Sequence, residues 1–600
     1  MTTTDLDAQI DRWLAAFGEA LAARNIPAAT QLFDAGECFW RDVTAFTWNL
    51  VTLEGQPAIA DMLSACLAGT LPFSARRVGG SQIDGDGIVE ARLAIETRVG
   101  IGEGFLRLNN GRCWTLLTSM RGLKDFSEKQ GALRPNGALH GVHRGRKSWS
   151  ELKAQEEAEL GYIRQPYCLV IGGGQGGIAL GARLKQLEVP TIVIEKQPRA
   201  GDTWRNRYRS LCLHDSVWYD HLPYIPFPSH WPVFSPKDQL GDWLEMYVKV
   251  MSLNYWTSTE CQKAAYDAAT SEWTVEVLRD GKPVTLRPKQ LIIATGMSGV
   301  PNDPSIPGQS TFNGEQFHSS GFTTGAPYKN KRCVVVGSNN SAHDIAAELW
   351  EQGADVTMVQ RSATIVAKSE TLMELGSGPL YSETAVENGI TVEIADLINA
   401  SVPYKVAPRR HSQLYDKIKQ RDRDLYHRLA KAGFMFHFGD DGSGIHTSYI
   451  RRGSGYYIDV GASELIANGS IKLKSRVEIE RLTADGLVLS DGSKLPADLV
   501  VYATGFGSMN GWAAQLISQQ VADKVGKCWG VGSNTAGDPG PWEGEIRNMW
   551  KPTQQENLWF HGGNLYQSRL YSLTLALQLK ARFEGMPTPV YGLPDVRHLS

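Results

Sequence analysis

Several things are scarce or missing in these 600 residues, and each absence excludes something. The eight cysteines, Cys38, Cys66, Cys113, Cys168, Cys212, Cys261, Cys333 and Cys528, are scattered and form no C-x-x-C pair. That spacing argues against a disulfide framework, a zinc site and a dithiol redox centre, and leaves most of them as small core residues. No apolar run is long enough to cross a bilayer. The first residues, MTTTDLDAQIDRWL, lack the basic start and apolar stretch of a signal peptide, so the expected location is the cytoplasm, with no membrane partner. An excess of charge is lacking too. Sixty-one Lys and Arg against 64 Asp and Glu leave a net charge of -3, which gives no electrostatic reason to expect nucleic acid as a partner. What is present is an ordinary globular composition, 42% hydrophobic and 21% charged, in a chain too long for one core.

Residues 1–125 read as one unit. Ile10, Trp13, Leu14, Phe17 and Leu21 recur at helical spacing. FWRDV, NLVTLEG, IVEARLAIETRV and RCWTLLTSMRGL then read as strands. Helix before sheet gives an α+β unit, and this order of elements resembles the cone-shaped NTF2-like or SnoaL-like domains. Such cones often pair through the sheet face, so a binding or dimerisation module without chemistry is one expectation, and a homodimer follows from it. Asp42, with Trp40 and Trp48, either lines a pocket or is a surface acid beside core aromatics. Residues 126–164 are polar and charged and read as a linker ending in a short exposed helix. Its HRGRK segment either binds an anion or is a solvated basic stretch.

From Tyr167 the pattern changes to short apolar strands alternating with helices, which predicts parallel α/β sheets. A strand, a Gly-rich turn and a helix occur at 167–187 and again at 332–353. In the first copy the strand Cys168–Ile171 runs into Gly172-x-Gly174-x-x-Gly177. Gly172 suits a tight turn, Gly174 lets a pyrophosphate approach the backbone, and Gly177 lets helix and strand pack closely. The helix N-terminus faces the phosphates. Glu195 ends the next strand, 23 residues beyond Gly172, where a carboxylate can accept hydrogen bonds from a ribose diol. The second copy reads Gly337-x-Asn339-x-x-Ala342, with Asn339 chosen as the residue besides Gly that best tolerates positive φ. Arg361, after the strand ADVTMVQ, suits a 2′-phosphate and so points to NADPH; the alternative is a surface arginine at a strand end. Two ATG segments, LIIATG at 291–296 and LVVYATGFG at 499–507, look like chain crossings between nucleotide domains.

Between the two copies lies TFNGEQFHSSGF. Phe312, Gly314, His318 and Phe322 match the F-x-G-x-x-x-H-plus-aromatic fingerprint of the flavin-containing monooxygenases, the class B flavoprotein monooxygenases. With the two Gly-rich turns, residues 165–600 resemble that family; related Baeyer–Villiger enzymes typically carry Trp where this chain has Phe322. The N-terminal extension resembles that of the bacterial type II subgroup. The resemblance implies an α/β flavoprotein of two Rossmann-like dinucleotide-binding domains, preceded by the NTF2-like unit. The expected boundaries are 165–330 and 498–600 for the FAD-binding domain and 331–497 for the NADPH-binding domain, with an insertion near 403–461. That insertion either covers the active site or is a structural elaboration.

The resemblance also implies site residues. GDTWRNRY places Thr203 and Trp204 beside the flavin, although Asp202 stands where the family has a second Gly. In SLCLHDSVWYDHLPYIPFP, His214 falls near the reactive flavin carbon, followed by Asp215 and Ser216. His214 either hydrogen-bonds the flavin–oxygen adduct or the coenzyme, or is a satisfied core histidine. Asn340 and Ser341 are expected near the coenzyme phosphates. The turn at Gly562, Gly563 and Asn564 is expected at the pyrimidine edge of the flavin, with Gln567 or Arg569 nearby. In such an enzyme NADPH, with NADH as a possible substitute, reduces FAD, and molecular oxygen adds to the flavin C4a carbon. The resulting (hydro)peroxyflavin attacks a ketone (Baeyer–Villiger oxidation) or passes one oxygen to an amine or sulfide. An NAD(P)H oxidase or flavin reductase releasing hydrogen peroxide is the alternative with the same nucleotide sites.

Overall fold

The computed structural model describes residues 2–137 and 140–598; Ala138 and Leu139, in the expected linker, lie outside the described residues. The first helix, Thr3–Ala22, starts at a capping box in which Thr2 Oγ1 accepts from the Asp5 amide at 3.3 Å and Asp5 accepts from the Thr2 amide at 2.9 Å. Ile10, Trp13, Leu14, Phe17 and Leu21 are all buried. They meet a six-stranded sheet in the order Leu50–Glu54, Phe39–Val43, Arg112–Leu123, Gly100–Asn109, Val89–Glu96, Ser74–Ile83. After a short helix, Ile26–Thr30, a longer one, Gly55–Thr70, interrupts the strands. The α+β reading of residues 1–125 describes this unit.

Asp42 is neither a pocket wall nor a surface acid. It is fully buried and accepts from the amides of Phe46 and Thr47, both at 3.0 Å, from Thr47 Oγ1 at 2.7 Å and from Thr118 Oγ1 at 2.6 Å. The Thr118 hydroxyl in turn accepts from the Trp40 indole at 2.8 Å. The carboxylate closes a turn in which Thr44 and Trp48 take φ of 64° and 50°, a conformation that needs such local support. Part of the sheet, through Arg41 and Arg107, meets the rest of the chain. Arg41 forms a bidentate, buried ion pair with Glu545 at 2.6 and 2.8 Å and donates to the Ala400 carbonyl at 2.6 Å. Arg107 reaches the Ser401 carbonyl at 3.1 Å.

The expected α/β architecture follows. Five parallel strands form the first sheet, in the order Leu558–Phe560, Gln290–Ile293, Cys168–Ile171, Thr191–Ile194, Tyr255–Trp256. The four residues of Cys168–Ile171, Thr191–Ile194 and Gln290–Ile293 are all buried, as expected for strands covered on both faces. The second sheet, also of five parallel strands, runs Glu315–His318, Leu499–Tyr502, Arg332–Val336, Asp355–Gln360, Lys472–Ser475. It therefore draws strands from both sides of residues 330 and 497. Each sheet has its own three-stranded antiparallel meander, 259–286 in the first unit and 479–496 in the second, just before the ATG strand. The internal repeat is thus longer than the Gly-rich turns alone. The extra chain of the second unit begins at Thr364, with a small parallel sheet of Phe436–His437, Thr364–Lys368 and Tyr456–Asp459, and carries the helices Val392–Ala400, Ala407–Arg421 and Gly444–Arg452.

Candidate active site

Both nucleotide turns are made by one steric device. Gly172 has φ of 110°, and a Cβ there would stand 2.4 Å from the carbonyl oxygen of Ala294. Gly337 has φ of 126°, and its Cβ would stand 2.5 Å from the carbonyl oxygen of Ala503. Ala294 and Ala503 are the alanines of the two ATG segments. The segments are therefore equivalent parts of the two units, and each presses a carbonyl against the first glycine of its turn. A side chain at Gly177 would meet the Gly172 carbonyl at 2.0 Å, whereas at Gly174 the nearest atom would be Thr203 Cγ2 at 3.9 Å. The open side of Gly174 is where a pyrophosphate can lie. The helix Gln175–Gln186 begins there without a side-chain cap, leaving its amides for an anion. Glu195 is buried and accepts from the Gly173 and Gln197 amides, each at 2.9 Å. These bonds fix the carboxylate and leave lone pairs for a diol.

In the second turn Asn339 has φ of -97°, so the positive-φ argument for this asparagine does not hold. Its counterpart Gly174 has φ of -74°; the position needs room on one side, not a left-handed backbone. Asn340 Oδ1 accepts from the Ile458 amide at 2.9 Å, tying the helix start to the extra chain. Ser341 lies in the first turn of that helix, Asn340–Glu351. Arg361 is exposed at the carboxyl end of its strand, the end at which parallel sheets bind nucleotides. Gln360 beside it is consumed by the Met435 backbone, donating at 2.8 Å and accepting at 2.8 Å.

Around the first turn, Trp204 Nε1, Thr295 Oγ1 and both ring nitrogens of His561 are buried without a hydrogen-bond partner among the described residues. His561 lies 3.3 Å from the Cβ position of Gly176, and burial pushes its imidazole down to about 3. Orphaned groups of this kind call for a partner, and a flavin dinucleotide with its phosphates at Gly174 fits the cradle. Asp202 does not distort its loop. It opens a short helix and binds Arg205 at 2.8 Å, while the left-handed position is Gly201, at φ of 86°. At the far edge, Gly563 has φ of 111°, and Asn564 caps the helix Leu565–Phe583 through a reciprocal pair with Gln567 at 3.0 and 3.3 Å. That helix N-terminus carries positive potential and is tied to the first turn by Gln175 Nε2, which donates to the Gly563 carbonyl at 3.2 Å. Arg569 is unavailable there, because it forms a buried bidentate pair with Asp396 at 2.9 and 2.8 Å.

His214 is partly buried, with Nε2 3.9 Å from Asp344 Oδ2. Asp344, on the helix of the second turn, also accepts from the Tyr208 hydroxyl. Burial pushes its carboxyl up. Ser216 donates to the Tyr381 carbonyl at 3.4 Å. Asp215 is shifted upward by burial, and Asp220 well upward by burial and then by Asp215. Asp220 and Asp344 had no assigned role in the sequence reading, because nothing near them in the chain reveals their partners. The extra chain does reach this site: the Tyr449 hydroxyl donates to Gln567 at 2.6 Å and accepts from the Asn564 amide at 3.3 Å.

The fingerprint holds the parts in register. Phe312 is buried with Val334, Val359 and Val500. A side chain at Gly314 would meet the Asp498 carbonyl at 2.5 Å. His318 Nε2 lies 3.0 Å from the Gly505 carbonyl of the second ATG turn. Phe322 is buried in one cluster with Tyr208, Leu211, Val335 and Ile345.

A family pattern described as pyridine nucleotide-disulphide oxidoreductase matches residues 169–376. The match covers the first turn through the start of the extra chain; all eight cysteines are free. Indole-3-pyruvate monooxygenase YUCCA1 of Oryza sativa subsp. japonica is 27% identical over 365 residues, 60% of this chain and 82% of that protein. Probable indole-3-pyruvate monooxygenase YUCCA10 of Arabidopsis thaliana is 27% identical over 57% of this chain and 81% of its own length. Among solved structures, ε-caprolactone-bound cyclohexanone monooxygenase in the Loose conformation shares the fold, with a TM-score of 0.50 and 17% identity, over 71% of this chain and 90% of that one. In sequence the chain is thus similar to flavin-dependent monooxygenases, and in fold to a cyclohexanone monooxygenase.

Proposed function

We propose that the chain inserts one atom of molecular oxygen into a small organic substrate, a ketone, an amine or a sulfide, with FAD as the resident cofactor and NADPH as the reductant. The reaction balances as substrate, oxygen, NADPH and a proton giving oxygenated substrate, NADP⁺ and water. The observation that carries this reading is the pair of equivalent Gly-turn cradles, the first ringed by unpartnered polar groups, in a chain without a thiol pair.

When bound, FAD supplies hydride acceptance and oxygen activation; the protein supplies position and enclosure. Gly172, Gly174 and Gly177 shape the pyrophosphate turn, Glu195 the ribose end, Thr203 and Trp204 one wall, and Gly563 with Asn564 the pyrimidine edge. Gly337, Asn339, Asn340, Ser341 and Arg361 serve the coenzyme. His214, on the segment that runs on through Asp215 and Ser216, is the group we assign to hydrogen bonding at the reacting centre, with Asp344 positioning it. Tyr449 closes the site against water, which supports the covering role of the extra chain.

We read residues 1–125 as an NTF2-like cone with an intramolecular task, because its sheet face is held by Glu545 and Ala400. A homodimer would use the part of this unit's surface that stays exposed. No described helix is long and apolar enough to cross a membrane, and the demand for NADPH favours the cytoplasm.

Stopped-flow absorbance of the FAD-loaded protein, reduced with NADPH and mixed with oxygen in the absence of substrate, tests the reaction. A long-lived species distinct from oxidised and reduced flavin is expected. Immediate reoxidation with stoichiometric hydrogen peroxide would instead establish an NAD(P)H oxidase.

A further inference from the structure

A second cleft lies behind the helix Gly444–Arg452. That helix presents Tyr449 to Gln567 and Asn564 at the flavin edge. Its residues Thr447, Ile450 and Arg451 line a cavity of about 170 Å³. The opposite walls are Tyr404 and Lys405, at the start of the helix Ala407–Arg421, and Ser533 and Trp542 of the loop 531–542.

The charge in this cleft is one-sided. Two cations line it, and among the described residues no carboxylate does. Arg451 is held in place from outside the lining by Asp441 at 2.5 Å. Lys405 makes no ion pair among the described residues; its ammonium stands 4.8 Å from the centre of the Trp542 ring. His411, also in the lining, is pushed down to about 3 by burial and then by His446, so it contributes a neutral imidazole. Two flat rings, Tyr404 and Trp542, share the apolar lining with Ala407, Pro408, Ile450 and Val531.

One wall of the cleft, the loop 531–542, is tied down by hydrogen bonds. Asp538 is fully buried and accepts from the amides of Val531, Gly532 and Ser533 at 3.1, 3.0 and 2.9 Å, and from Ser533 Oγ at 2.7 Å. Arg547 adds a contact to the same carboxylate at 3.1 Å. Trp542 is anchored from the N-terminal unit by Glu54, which accepts from its indole N–H. A preformed cavity with a few convergent polar groups is what a small-molecule site requires, and an unpaired ammonium beside an oriented guanidinium selects an anion.

We propose that this cleft binds a small organic carboxylate with a flat apolar body, at a site separate from the flavin cradle. The carboxylate lies between Lys405 and Arg451, and its ring lies against Tyr404 and Trp542. The binding needs no turnover, so it stands or falls independently of the reaction proposed above.

The test is isothermal titration calorimetry of the full-length, FAD-loaded protein saturated with NADP⁺, using phenylacetate and its neutral isostere phenylacetamide. Phenylacetate should bind saturably, and the amide roughly tenfold more weakly or worse. Lys405→Glu, at an exposed position, should weaken phenylacetate by roughly tenfold or more and leave the amide unchanged, while Lys405→Arg retains binding. Flavin content and melting temperature of the variants establish that they are folded. No binding, equal affinity for acid and amide, or unchanged phenylacetate affinity in Lys405→Glu would overturn the proposal. So would phenylacetate binding that appears only when NADP⁺ is left out, since the ligand would then occupy the coenzyme site.

Discussion

His214 Nε2 stands 3.9 Å from Asp344 Oδ2, so a loop of the first nucleotide unit meets the helix that opens the second. Asp344 is fixed by the Tyr208 hydroxyl, which makes a three-residue chain across the junction. Asp344→Asn keeps the volume and removes the charge. Its coupling should fall, with more hydrogen peroxide released per NADPH consumed, and the pH profile of that release should shift. Tyr208→Phe should have the same effect in weaker form, and the KM for NADPH should stay within about twofold in both. An unshifted profile would leave Asp344 a purely structural residue.

The two first glycines separate the two cofactors experimentally. Gly172→Ala forces a Cβ onto the Ala294 carbonyl, and Gly337→Ala onto that of Ala503. Each change costs about 1–3 kcal/mol locally. Gly172→Ala should purify with little flavin, read from the visible absorbance relative to protein. Gly337→Ala should keep its flavin and show a KM for NADPH raised by roughly tenfold or more.

Arg361 is exposed at the carboxyl end of its strand. Removing a charge-assisted contact to a 2′-phosphate costs about 1.5–3 kcal/mol. Arg361→Ala should therefore lower kcat/KM for NADPH by roughly tenfold or more and leave that for NADH nearly unchanged. Equal losses with both coenzymes would remove Arg361 from the phosphate site.

Asp220 gives stability a definite pH dependence. Its carboxyl is held well above the usual range by burial and then by Asp215. The unfolded chain ionises this group near pH 4, while the folded chain resists doing so. Folding is therefore favoured by the protonated form, and this contribution is lost as pH rises from about 4 towards the folded value. Asp220→Asn should be the more stable protein near pH 8, by about 1.4 kcal/mol for each unit of upward displacement, and indistinguishable from the parent near pH 4. Thermal melts across that range read the difference.

Arg41 and Glu545 form a buried pair between the N-terminal unit and the body, each 2% exposed. Breaking such a pair from one side costs about 3–5 kcal/mol. Glu545→Ala should split calorimetric unfolding into two transitions, with the N-terminal unit leaving first. The paired change Arg41→Met with Glu545→Leu should recover a large part of the loss, because neither charge is then stranded.

Much of this was legible in sequence. The first helix, the buried strands, the three glycines at 172–177 and the fingerprint around His318 carry local patterns whose period or spacing states their role. Other features were not legible, for a common physical reason. Tyr208 and Asp344 meet across 136 positions, and Tyr449 and Gln567 across 118; neither pair leaves a local trace. Asp42 looked like a surface acid because a charge in a strand normally faces water, and its four hydrogen bonds come partly from a strand 76 positions away. Asn339 was assigned the wrong backbone because the sequence showed a replaced glycine and not which property of that glycine the turn uses.

The alanine carbonyls carry a consequence for biosynthesis. The turn at Gly337 is wedged by Ala503, and the sheet that carries Gly172 is completed only by Leu558–Phe560. A chain emerging from the ribosome therefore exposes both glycine turns long before either can take its final shape. On the function proposed above, FAD is loaded only after nearly the whole chain has been translated, and a product terminated before Leu558 is expected to purify without colour.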